Sequence, residues 1–219
     1  MNPNRKAWND QQQALQKSLA RPDDQTIPLF LRHHAMVHAA EMSEAGLWSF
    51  ADEVLQCLPD DTIRCMVGEH SIAWMIWHIA RCEDVTMNLL VAGGDQVLSD
   101  WSERLKTSVR ETGNAMDSAT IAEFSAQIDI AALFAYRMAV GQRTRAIVQS
   151  LPPADFKHKV DPVRLERVFS EGAIVEVSHG IAEYWGSRTF AGLLLMPATR
   201  HNFVHLNEAL RARQKLGYK

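Results

Sequence analysis

Two short stretches carry the residues best suited to chemistry. HAMVHAAE runs from His34 to Glu41, and HNFVHLNE from His201 to Glu208; both read H-x-x-V-H-x-x-E. On a helix, residues four apart lie one turn above each other on the same face. Two imidazoles placed this way hold one ion. A third ligand from a facing helix completes a set that leaves positions open for water or substrate. His78 is the natural third ligand, because it sits among Trp74, Met75, Ile76, Trp77 and Ile79 and so points towards an interior. The bland alternative is a buried core histidine bonded to a neighbour. Spacing alone does not choose between the pair His34/His38 and the pair His201/His205. His33, about 100° around the helix from His34, faces elsewhere.

The elements that must position these residues are helices. Residues 27–58 have helix-forming composition and predict one long helix, or two broken near Gly46, ending at Pro59, Asp60 and Asp61. Glu69 to Val91 is the clearest helix, stopped by Gly93 and Gly94. Thr120 to Leu151 predicts a third long helix, capped by Ser118 or Thr120 and stopped by Pro152 and Pro153. Gly172 to Trp185 reads as helical, and Pro197 introduces a last helix from about Ala198 to Leu216. No alternating strand pattern competes with this reading. The expected fold is an all-α four-helix bundle with crossover connections and extra short helices. Residues 1–26 are polar and read as an extension, a frayed helix or tail, ahead of a single domain over 27–219.

The run WMIWHIARCED, within SIAWMIWHIARCEDVTMNLLVAGGDQVLSDW, resembles the second helix of the DinB-like (DinB/YfiT-like) metalloenzyme family. RHNFVHLNEALRAR is similar to that family's last core helix, which supplies an H-x-x-x-H pair. The likeness extends from about Ile27 to the end. It implies a four-helix bundle holding a divalent metal, Zn²⁺ or Ni²⁺, through His78, His201 and His205. It also implies a homodimer. For function it implies a metal-dependent thiol S-transferase or isomerase, or a hydrolase, acting on a small-molecule substrate with a low-molecular-weight thiol as possible cofactor. The family includes many members without an assigned reaction. A non-catalytic bundle of the stress-response kind, binding a small ligand or a partner with structural metal or none, is the alternative. His34 and His38 then serve packing, or a supporting role beside the metal.

Other residues near His78 invite a role. Arg81, nearly in line with it, presents a planar fork suited to an anionic substrate, or equally pairs with Glu83 or Asp84 and has no chemical role. Glu83 is a candidate acid or base, although Glu83 and Asp84 read most simply as a solvated helix face. Cys82, one turn after His78, needs to be a thiolate to act as ligand or nucleophile. Glu208 and Glu41, each three residues past a histidine, either bind an imidazole N–H or sit on the surface.

Composition narrows the classes. Lys and Arg total 23 against 26 Asp and Glu, for a net charge of -3, so nothing points to nucleic acid. No apolar stretch predicts a membrane span, and the polar first residues do not read as a signal peptide. Three cysteines without a C-x-x-C pair suit reduced thiols in the cytoplasm.

Overall fold

The computed structural model describes residues 3–42 and 47–218. Its centre is α5 (Ile72–Asp84), every residue of which is buried. A helix apolar on all sides must be enclosed by others, and α5 is. It packs most extensively on α8 (Ile130–Ser150) and also against α12 (His201–Lys215). Ser71 starts α5 by accepting a hydrogen bond from the Trp74 N–H at 2.9 Å.

α5 does not stop at Asp84. It continues as a π-helix over Val85–Ala92 and ends at Gly93, where the sequence places the stop. α11 (Phe190–Leu195) likewise passes through a π-helical turn, Met196–Arg200, into α12. With α2 (Thr26–Ala35), these make four columns: α2, α5 with its π extension, α8, and α11 joined to α12. The all-α expectation holds, and the bundle carries short extra helices. These are α3 (Phe50–Leu55), α4 (Asp60–Arg64), α6 (Ser102–Leu105), α7 (Ser118–Gln127), α9 (Pro162–Ser170) and α10 (His179–Gly186).

Several boundaries differ from the expectation, each for a local reason. The expected helix over Glu69–Val91 begins three residues late, because Met66–Val67 and His70–Ser71 pair as a small antiparallel hairpin. The expected helix over Thr120–Leu151 is two helices. Asp129 breaks it by capping α8 through the Ala132 N–H at 3.0 Å, and Asp117, not Ser118 or Thr120, caps α7. Pro162 opens a further helix, α9, between the prolines that stop α8 and Gly172, with Asp161 as its cap. The supposed break near Gly46 lies outside the described residues. α2 ends earlier, at Ala35.

The polar N-terminal segment is a regular helix, α1 (Pro3–Ala20), packed on α2 and α11. Its few apolar residues recur along one face, and Trp8, Leu15 and Leu19 are buried. Trp8 stacks on Phe203 of α12 with ring centroids 3.8 Å apart. Among the described residues, no helix is long and apolar enough to cross a membrane.

Candidate metal centre

α5 and α12 face each other, and their histidines meet. The ring centroids of His78, His201 and His205 form a near-equilateral triangle, with sides of 4.8, 4.8 and 4.7 Å. The rings stand steeply to one another, at 68°, 82° and 80°. Three imidazoles bound to one ion at about 2.0–2.1 Å have ring centres roughly 4.5–5.2 Å apart for octahedral to tetrahedral angles. The observed triangle falls in that range. His78 Nε2 and His201 Nε2 are 3.1 Å apart, against about 3 Å between neighbouring ligand atoms around such an ion.

Hydrogen bonds fix which nitrogen two of the rings offer. His78 Nδ1–H donates to the Thr112 carbonyl at 2.7 Å, which leaves Nε2 as a lone pair aimed at His201. His205 Nδ1–H donates to the Glu208 carboxylate at 2.7 Å, which frees its Nε2. These outer bonds are the kind that hold metal-ligating imidazoles in one tautomer. His201 Nδ1 has no hydrogen-bond partner among the described residues. Burial, with His205 beside it, lowers His78 to about 3. Burial and the other two rings hold His201 well below its ordinary value. Both are therefore neutral near pH 7, the form that binds metal.

Trp74 braces this geometry. It stacks parallel to His78 at 4.8 Å and on its other side to His70 at 4.0 Å, in a column spaced one helical turn apart. The loop carrying Thr112 reaches His78 because Gly113 follows it. Gly113 has φ +90°, and a Cβ there would lie 2.6 Å from Trp74 Nε1.

Next to the triad is a cavity of ≈ 160 Å³. His78, Cys82 and His201 line one side, and Ile181, Tyr184, Trp185 and Met196 another. The ligand atoms of His78, Cys82 and His201 lie within 4.8 Å of one another. Cys82 Sγ is 3.9 Å from His78 Nδ1. Burial pushes its thiol pKa up, so it is protonated at neutral pH.

Glu83 and Asp84 are not a solvated face: both are wholly buried. Arg81 is also buried, and all five of its N–H donors are taken. They go to Asp84 at 2.9 Å, the Tyr136 hydroxyl at 3.1 Å, Gln96 at 2.6 Å, and the Arg110 carbonyl at 3.1 and 2.7 Å. Arg81 does not line the cavity beside the triad. Its work is to tie α5 to α8 and to the loops at 96 and 110.

Glu83 turns the other way, to the N-terminal pair. Its two oxygens accept from His34 Nε2 at 2.9 Å and His38 Nε2 at 3.0 Å, and Asn202 Nδ2 donates to Oε2 at 3.0 Å. His33 points elsewhere, to Gln12 at 2.5 Å. Neither this pairing nor the roles of Thr112 and Asn202 were legible in the sequence. The one trace was two adjacent carboxylates, Glu83 and Asp84, at the end of a largely apolar helix, which burial obliges to find partners.

A sequence profile of the DinB superfamily matches residues 46–209, about three quarters of the chain, including His78, Glu83, His201 and His205 but neither His34 nor His38. No curated protein matches the chain. On the profile match, this chain belongs to the DinB superfamily.

Proposed function

We propose that His78, His201 and His205 hold a divalent ion, Zn²⁺ or Ni²⁺, as the centre of a metal-dependent enzyme. The reaction favoured is transfer of a low-molecular-weight thiol, or hydrolysis. One observation carries this reading: three steeply inclined imidazoles from facing helices have ring centres 4.7–4.8 Å apart, two with Nδ1 already committed to an outer partner. When bound, the ion supplies Lewis acidity and lowers the pKa of a coordinated water or thiol.

The chain's own residues supply position and exclusion. The Thr112 carbonyl and the Trp74 ring hold His78 in one orientation, and Glu208 does the same for His205. Ile181, Tyr184, Trp185 and Met196 wall the cavity with apolar surface. At ≈ 160 Å³, it has room for about five waters' worth of volume, so it fits the reacting end of a small molecule. Cys82, protonated and 3.9 Å from His78, lines the pocket and is no free nucleophile. Arg81 holds the helix and contributes no contact to this cavity.

A non-catalytic small-ligand bundle is the second reading. It is favoured by a cavity of ≈ 400 Å³ lined by Met42, Leu55, Phe134 and Met138, which shares no residue with the triad. Load the protein with Co²⁺ and add a small thiol or azide. A catalytic centre exchanges a ligand, and its visible spectrum shifts. An unchanged spectrum with metal bound at the triad favours the second reading. Homodimerisation belongs to the first reading and is checked by sedimentation.

A further inference from the structure

We propose that His34, His38 and Glu83 form a second, separate divalent-cation site, of the two-imidazole, one-carboxylate type that suits Zn²⁺ and similar first-row ions. All three side chains are essentially fully buried, and their ligand atoms lie within 4.8 Å of one another.

The chemistry of the donor set fits. An imidazole binds a metal in its neutral form, through the one nitrogen that keeps a lone pair, and a carboxylate binds in its ionised form. The nitrogen-to-oxygen separations are 2.9 and 3.0 Å, and the ligands of a four-coordinate zinc ion sit about 3.3 Å apart. Opening the set by a few tenths of an ångström is enough.

The contacts of Glu83 are two imidazoles and the Asn202 amide. Arg137 bonds Asn202 Oδ1 at 3.2 Å and the Val37 carbonyl, and its charge reaches Glu83 across Asn202. Gly141 makes room, since a Cβ there would come within 2.7 Å of His38 Nδ1. Access exists too, because His38 lines the ≈ 400 Å³ cavity together with Asp52 and Arg137. Such an ion would pin the end of α2 and the turn after it to α5.

Metal-stripped full-length protein is titrated with Co²⁺, and bound metal is counted after gel filtration. The proposal expects two equivalents in the wild type. One is retained in His78→Ala/His201→Ala/His205→Ala, and one is lost in Glu83→Gln, which keeps size and shape. It is overturned if the triad variant binds none, or if Glu83→Gln folds and still binds two. If Glu83→Gln does not fold, the triad variant decides alone. A wild type that binds one ion, removed by Glu83→Gln and untouched by the triad variant, upholds this site and refutes the triad.

Discussion

The two H-x-x-V-H-x-x-E stretches share a spelling and build different objects. At the C-terminal end all of His201, His205 and Glu208 lie on one helix, α12. One face therefore carries two imidazoles, and Glu208 reaches back to His205 at 2.7 Å. At the N-terminal end α2 stops at Ala35, between the two histidines. His38 sits in the following turn, and its partner is Glu83 on another helix, 45 residues away. The first cluster lies beside a cavity, with outer bonds made by His78 and His205. The second turns its imidazoles onto a buried carboxylate. A motif fixes residue types, whereas the helix boundary decides what they meet.

The largest effect that would break this contrast comes from His201→Ala/His205→Ala. That variant should lose the triad's ion completely, while His34→Ala/His38→Ala should keep it, as read by elemental analysis. Next is Glu83→Ala in metal-free protein. It removes the acceptor of three buried hydrogen bonds, from His34, His38 and Asn202, and should cost about 2–4 kcal/mol in urea unfolding. A cost below about 1 kcal/mol would mean that these bonds do not hold α2 to α5. Glu208→Ala should leave stability nearly unchanged and weaken metal binding at the triad by about 10–100-fold. Equal affinity in competition with a chelator would remove Glu208 from the centre.

A further effect is pH dependence. His33 and His38 have folded values of about 3, against roughly 6.5 in the unfolded chain. Between those values the unfolded state binds more protons, so stability is complete above pH 6.5 and falls as the pH drops towards 3. The slope is about 1.4 kcal/mol per pH unit for each histidine at most. Metal-free protein should lose Tm steadily from pH 6.5 to 5. A flat Tm over that range would contradict neutral burial of these rings.

Much of this was legible before the structure. The all-apolar surroundings of His78 marked an interior position, and glycines and prolines marked most helix ends. The resemblance of WMIWHIARCED to the DinB-like family agrees with the profile match. What was not legible is instructive. Glu83 and Asp84 look like a surface face in sequence, because charge is usually solvated, and Arg81 looks available for an anionic substrate. They are buried here because α5 is enclosed on every side, and each found partners far along the chain: Tyr136 for Asp84 at 2.7 Å, Asn202 for Glu83 at 3.0 Å. The two π-helical turns also left no sequence trace. One of them, at Met196–Arg200, immediately precedes His201 and sets the phase of the face that His201 and His205 share.

The most direct test of the central claim is an anomalous difference map from crystals of the full chain grown with Zn²⁺, recorded at the zinc edge. The account predicts a peak bonded to the imidazoles of His78, His201 and His205, with His78 Nδ1 still on the Thr112 carbonyl. Zinc bound elsewhere in the molecule, with no peak between these three rings, would contradict it.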